Sequence, residues 1–409
     1  MIKKKLIVIG GGAAGFFCAI NAAEFCKNLE VIIIEKSSKL LSKVKISGGG
    51  RCNVTNSCES ISTMASCYPR GEKFLKKAFH QFFTTDTINW FKERGVKLKA
   101  EPDGRMFPTT DNSETIINCL LNEASKNKVN VITNKQVTVI HKRESNFILS
   151  FADGIEMACD YLCIAAGGFP KKEQFNWLSN MGHTIVNPVP SLFTFNIPKS
   201  SLTPLMGIAL NATVKIAKTN LSQTGPLLIT HWGISGPAVL KLSSQGARIL
   251  AEKNYNFEIF INWLPDFNDN TLRKYVHELR VKLGSQKIIN RNPFAIPSRL
   301  WEHFISEAGI KSEARWAEIP AKEQNLLVKI LTSDKYIVSG KTTFKEEFVT
   351  AGGITLDEVN HNTMESKITE GLFFAGEILD VDGITGGFNF QNAWTTGFIA
   401  AKSISQSIK

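Results

Sequence analysis

The sequence predicts an α/β fold in which a parallel sheet flanked by helices is interrupted by a long insertion, and three observations carry that prediction. The chain opens with an apolar strand, Leu6 to Ile9, then a glycine-rich turn, a helical pattern from Ala13 and Ala14, and a second wholly apolar strand in LEVIIIEK. Strands that are apolar on both faces mark a buried parallel sheet. Two distant segments, DYLCIAAGG (160–168) and GLFFAGEILDVDGITGGFNFQNAWTTGFIAAKSI (371–404), again run from an apolar strand into small residues. Between them, from about residue 190 to 345, the pattern changes to alternating strands followed by helices.

Composition bounds the function. At 409 residues, 43% hydrophobic and 21% charged, the chain has the make-up of an ordinary soluble globular protein. No apolar run approaches the ~20 residues that span a bilayer. The N-terminus imitates a signal peptide, with lysines before an apolar stretch, but three glycines interrupt it, and a cytoplasmic protein is expected. Eight cysteines are scattered with no C-x-x-C pair, so neither a disulfide framework nor a metal site is indicated. Cys159 and Cys163, four apart on an apparent strand, share one face. The excess of 48 Lys and Arg over 37 Asp and Glu leaves +11, a field that attracts polyanions or simply aids solubility.

The N-terminal elements take their meaning from spacing. Gly10, Gly12 and Gly15 form G-x-G-x-x-G directly after a strand and at the start of a helix, and about 20 residues later the second strand ends in Glu35, followed by Lys36. That is the dinucleotide fingerprint of a Rossmann-type domain in its required context. The glycines permit a tight turn and close approach of a pyrophosphate, which the helix N-terminus favours electrostatically. Glu35 stands where a carboxylate accepts hydrogen bonds from a ribose.

Later segments resemble those that cover FAD in glutathione-reductase-like flavoproteins. Ala165, Ala166 and Gly167 stand where that group makes its second FAD contact, behind a β-meander at 136–158 that contains Val137 and turns at Asp153–Gly154. Gly376–Glu377 resembles the third FAD motif, whose acid binds the ribitol; here it is Glu where many relatives have Asp. Gly387, Phe388 and Asn389 then open a helix that could aim its N-terminus at the flavin.

The run LSKVKISGGGRCNVTN (41–56) lies where this class passes its chain along the pyrophosphate toward the flavin. Gly48, Gly49 and Gly50 would bring backbone against the cofactor where a Cβ would clash, and Ser47 precedes them in the same cofactor-binding run. Lys43 and Arg51 could neutralise phosphate, and Asn53 offers a donor and an acceptor. Cys52 reads either as a small buried filler or as a proton donor tuned by Arg51. Together with DGRMFP (103–108), THWGISGPAVLKLS (230–243) and VTAGGITLDEVNHNTMESK (349–367), these motifs resemble, in order and over nearly the whole chain, the BaiN-like, aminoacetone-oxidase-type family of bacterial FAD-dependent oxidoreductases. Similar proteins carry Gly-Arg-Lys where this chain has Leu41–Ser42–Lys43, so one cation is lost.

The resemblance implies an FAD domain in two pieces, 1–190 and 346–409, around an inserted β-barrel-like and helical domain at 191–345. His231, ahead of Pro237, reads as part of a helix start or as a base. Arg105 would hold an anionic substrate or cap a turn. No second G-x-G-x-x-G with its strand, helix and acid is present, so NADH or NADPH is expected to dock transiently as reductant.

Three activities are associated with the family: amine oxidation, reduction of a conjugated steroid double bond, and reduction of uridine to dihydrouridine in large-subunit (23S) ribosomal RNA. Basic residues interleaved with aromatics, Arg70, Lys73, Lys76 and Lys77 among Tyr68, Phe74, Phe79 and Phe82, then Lys92, Arg94, Lys97 and Lys99, favour RNA. The aromatics' helical spacing also fits burial in a core. The expected function is FAD-dependent reduction of rRNA uridine. The alternatives are a small-molecule ene-reductase or amine oxidase, and a non-catalytic FAD-binding RNA assembly factor.

Overall fold

A computed structural model describes residues 3–342 and 349–408. The chain divides into two compact units, residues 1–191 with 344–409, and residues 192–343.

The first unit is built on a five-stranded parallel sheet, in the order Leu372–Phe374, Tyr161–Ile164, Lys5–Ile9, Glu30–Ile34, Asn130–Ile132. Leu6 to Val8 and Val31 to Ile34 are buried, as strands covered on both faces must be. The helix Ala13–Phe25 and the C-terminal helix Phe388–Ser407 lie together, close enough that a Cβ on Gly397 would sit 2.9 Å from the Ala14 carbonyl oxygen. The expected meander forms as Val137–Arg143, Asn146–Phe151 and Glu156–Cys159, antiparallel throughout. Its last strand ends at Cys159 and a new one starts at Tyr161 in the parallel sheet. Cys159 and Cys163 therefore lie in different sheets and share no face, a correction that follows from the chain changing partners at Asp160.

Of the basic and aromatic residues singled out above, the helix Glu72–Ala78 carries Lys73, Phe74, Lys76 and Lys77 and the helix Thr84–Glu93 carries Lys92, while the others lie in the turns and strand that flank them. The aromatics are core: Tyr68, Phe74, Phe79 and Phe82 are all buried, with Phe82 stacked on Phe398 at 4.3 Å. Helical spacing accounts for Phe74, which shares the buried face of its helix with Leu75 and Ala78; Tyr68, Phe79 and Phe82 are buried from the turns on either side.

The second unit has its own core around Trp263, Trp301 and Trp316. Its seven-stranded antiparallel sheet runs Asp334–Ser339, Asn256–Asn262, Ala209–Ile216, Ser222–Thr230, Gly233–Ser235, Thr194–Asn196, Lys341–Thr342. Helices Asp269–Lys282, Ser298–Glu307 and Ala321–Ser333 lie between the strands Asn256–Asn262 and Asp334–Ser339, so the chain returns to the sheet after its helical part. Pro237 stands at the first turn of the helix Pro237–Gln245, where its missing N–H costs nothing. Among the described residues no helix is long and apolar enough to cross a membrane, and no cluster of His, Cys, Asp or Glu has the arrangement of a metal site.

Candidate functional site

The turn after the first strand is set by contacts no side chain could tolerate. A Cβ on Gly15 would lie 1.9 Å from the Gly10 carbonyl oxygen, and one on Gly10 would lie 2.3 Å from that of Ala165. Gly10 also has φ +116 and donates its N–H to Ile34 at 2.8 Å. Ala165 in turn donates to Ile9 at 2.8 Å, so the small residues after the 161–164 strand are drawn against the fingerprint turn. Ala166 is half-buried behind them, and Gly167 takes φ +76.

Gly12 is different. It has ordinary extended backbone, and a Cβ there would meet nothing within 4 Å. The protein has no packing reason for glycine at this position; a ligand seated on the helix N-terminus supplies one. Glu35 accepts from the Gly11 N–H, the Ser37 N–H and the Ser37 hydroxyl, each at 2.9 Å, which anchors a half-buried carboxylate beside that turn. Lys36 is exposed, 5.4 Å from the Phe169 ring centroid. Val137 is half-buried at the start of the meander.

The glycine run is a kink between helical turns. Ser47 is extended, its hydroxyl donating to the Val44 carbonyl at 3.1 Å, and Gly48, Gly49, Gly50 and then Cys52 all have positive φ, between +60 and +84. A Cβ on Gly48 would collide with Phe107 at 2.8 Å, whereas Gly49 and Gly50 face open space. Left-handed backbone alone accounts for glycine at the last two. From the kink the chain reaches the C-terminal loop. With its amide oriented to satisfy both ends, Asn53 donates to the Thr55 carbonyl at 3.0 Å and accepts from the Gly387 N–H at 2.8 Å. Trp394 donates to the Val54 carbonyl at 2.9 Å. The helix N-terminus after Gly387 is thus tied to the glycine segment.

Three sequence expectations meet in one cluster. Lys43 Nζ lies 2.6 Å from Glu377 Oε2, and Glu377 Oε1 accepts from the Thr350 N–H at 2.8 Å. Gly376 is held by its N–H to Thr396 Oγ1 at 2.8 Å. Thr350 Oγ1 and Asn392 Oδ1 are buried with no hydrogen-bond partner. Orphaned polar atoms are rare in native interiors and point to a missing polar ligand. These two, the open side of Gly12, and the Glu35 carboxylate fit an extended dinucleotide such as FAD. Neither Thr350 nor Asn392 was selected from sequence, because a threonine in a strand and an asparagine in a helix carry no local signal of being unpaired.

Other selected residues are committed elsewhere. Arg51 Nη1 lies 2.7 Å from Glu101 and 3.5 Å from Asp111, and its guanidinium sits 4.0 Å over the Phe107 ring, so carboxylates already balance its charge. Arg105 pairs with Glu101 at 2.8 Å and Asp103 at 2.7 Å. Cys52 is fully buried, and burial pushes its thiol up to about 12, opposed only by a hydrogen bond with Ser47. The expected tuning by Arg51 does not operate. Phe388 is buried against Tyr68, whose hydroxyl donates to the Phe388 carbonyl at 2.6 Å. Asn389 closes the loop ahead of it, bonding Gly383 at 2.8 and 3.0 Å. His231 belongs to the second unit and is exposed, edge-on to Trp232.

Among the cations expected to meet RNA, Arg70 is withdrawn into the first unit. It forms a two-pronged pair with the fully buried Asp382, which also accepts from Ser191 Oγ at 2.7 Å. Burial raises the Asp382 carboxyl despite the opposing pull of Arg70. Arg94 is likewise engaged, with Glu24 at 2.6 Å and over the Trp90 ring at 3.8 Å, and Lys99 pairs with Asp111. Lys73, Lys76, Lys77, Lys92 and Lys97 are exposed.

Residues 4–403 match the family described as HI0933-like protein Rossmann domain. The ribosomal RNA dihydrouridine synthase of Escherichia coli is 30% identical, over 97% of both chains. The 3-dehydro-bile acid delta(4,6)-reductase of Clostridium scindens is 28% identical, over 98% of both. Among solved structures, the 3-ketosteroid-delta4-(5alpha)-dehydrogenase of Rhodococcus jostii is similar in fold, with a TM-score of 0.51 at 13% identity over 97% of both chains.

Proposed function

The chain belongs to the HI0933-like Rossmann family of flavin-dependent oxidoreductases, and from that premise we propose that it reduces the C5=C6 bond of a uridine in large-subunit ribosomal RNA to dihydrouridine. Bound FAD supplies the hydride for such a reduction, with NADH or NADPH as the donor that recharges it. The five-stranded sheet is the one parallel sheet among the described residues, which suits a nicotinamide that docks and leaves rather than one with its own domain.

In this reading the chain's residues hold and orient. The Gly10–Gly15 turn and the helix N-terminus behind it take the pyrophosphate, and Glu35 takes the adenosine ribose. Lys43 and Glu377, with the open hydroxyl of Thr350 and the open amide oxygen of Asn392, take the polar chain beyond. The N-terminus of the helix Phe388–Ser407 would offer its positive end to the flavin ring.

The observation that carries RNA over a steroid is charge. A bile acid asks for an apolar slot and at most one cation, whereas a net charge of +11 is a field for a polyanion. The second reading, a small enone reductase, is favoured by the near-equal similarity to the bile-acid enzyme. Both reactions add hydride to one carbon of a polarised C=C and a proton to its neighbour.

Dihydrouridine in large-subunit rRNA, mapped by nuclease digestion and mass spectrometry in cells with and without the gene, tests the proposal. Loss of one site's increase of about 2 Da, the mass of hydride plus proton, with restoration by the wild-type gene, is the expected result. An unchanged modification profile sinks it and moves the search to small enones.

A further inference from the structure

The chain's positive charge is unevenly distributed. Residues 192–343 hold 19 Lys and Arg against 11 Asp and Glu, about +8 of the total +11, in little more than a third of the length. The larger first unit is close to balanced, and its Arg70, Arg94 and Lys99 are paired with carboxylates.

Within the second unit, one face of the antiparallel sheet is core and the other is open. Val214, Ile216, Ile259, Ile261 and Val338 are buried on the inner side. On the outer side the register aligns a row across three strands: Lys335 opposite Phe260, and Phe260 opposite Lys215. Directly paired residues project from the same face of a sheet. Both lysines are exposed and Phe260 is half-exposed between them. Lys218, Thr219 and Asn220 continue from Lys215 around the hairpin, and with Phe260 they line a shallow groove of about 440 Å³. The neighbouring row, Asn262, Thr213 and Thr224, offers amide and hydroxyl groups. One carboxylate, Glu258, lies beside the row and is neutralised by Lys335 at 2.7 Å.

We infer that this outer sheet face, centred on Lys215, Lys218 and Phe260, docks a single-stranded segment of the RNA substrate. A half-exposed aromatic ring beside Lys215 and Lys218 on an open sheet combines a stacking platform with phosphate neutralisation, the two elements of single-strand recognition, while Lys335 is occupied with Glu258. Hydroxyls and amides alongside can meet base edges. A single strand is also what the chemistry demands, since a uridine stacked in a duplex hides C5 and C6. The inference rests on the RNA reading proposed above.

The test uses the FAD-loaded full-length protein and a fluorescein-labelled uridine-rich RNA oligonucleotide, with anisotropy followed over a range of salt. Removing two phosphate contacts by Lys215→Gln with Lys218→Gln is expected to weaken binding roughly 10- to 30-fold at about 0.1 M salt and to flatten the salt slope by about 1.4. Phe260→Leu keeps an apolar side chain but removes the stacking face, and is expected to weaken binding about fivefold with the salt slope unchanged. If wild type binds and both variants match it while Lys76→Gln with Lys77→Gln loses affinity, the docking face is overturned and the RNA reading stands. If wild type neither binds the RNA nor forms dihydrouridine in it, the RNA reading itself falls, and the docking face with it.

Discussion

Gly12 and Gly15 look alike in sequence and differ in what they answer to. At Gly15 the protein itself forbids a side chain; at Gly12 only a ligand would. Gly12→Ala is therefore expected to leave the melting temperature of the cofactor-free protein unchanged while lowering FAD affinity about tenfold or more, since a methyl group would stand between the helix N–H groups and the pyrophosphate. Flavin retained after gel filtration and the apo melting curve measure the two effects separately; equal affinity in the variant would place the dinucleotide elsewhere. Cys52 teaches the opposite lesson. Its position beside Arg51 suggests a tuned thiol, but the arginine turns to Glu101 and the thiol is buried with its acidity suppressed. Adjacency in sequence does not guarantee electrostatic contact, because successive side chains on a kinked backbone diverge.

At the level of elements, the segment Ile185–Ser191 pairs antiparallel with Val349–Ile354, and His183 stands just before it. That imidazole is buried, with Nδ1 3.1 Å from Glu358, Nε2 3.2 Å from Ser366 Oγ, and the Phe374 ring edge-on at 5.0 Å. Burial holds its pKa below the usual 6.5, although Glu358 pulls the other way. The unfolded chain then takes up a proton that the folded one declines, so stability is complete above that value and falls as pH drops below it. Denaturant titrations at about pH 7.5 and about pH 5.5 should show the loss, with a slope of at most about 1.4 kcal/mol per pH unit from this group. His183→Asn should flatten it. A wild-type slope that the variant retains in full would assign the acid sensitivity to other groups.

For the whole molecule, the two units have hydrophobic cores with no member in common. Separate cores allow separate unfolding. Calorimetry is expected to resolve two transitions, and FAD should raise only the one belonging to the unit with the parallel sheet, by about 2.7 kcal/mol of stabilisation at a hundredfold excess over its dissociation constant. A single transition that moves as a whole with FAD would show the units to be one cooperative block.

The sequence by itself determined the parallel sheet and the fingerprint turn, and it marked strands and helices in the stretch between, though not that the strands Asp334–Ser339 and Lys341–Thr342 return after the helices to complete the antiparallel sheet. Each depends on local rules: the burial period of a strand, the turn chemistry of glycine, and the spacing of the acid that follows. The resemblance of ordered motifs assigned Lys43, Glu377 and the glycine segment each to the cofactor, but the pairing of Lys43 with Glu377 comes from the fold. Only the tertiary structure decided how the cations are used. Arg70 is drawn to Asp382 across more than 300 residues, Arg51 and Arg105 converge on Glu101, and Lys215 and Lys335 come to flank Phe260 through strand register. The orphaned oxygens of Thr350 and Asn392 are of the same kind. Whether a polar group is paired, buried or free depends on what distant strands and loops bring to it, and no local pattern carries that information.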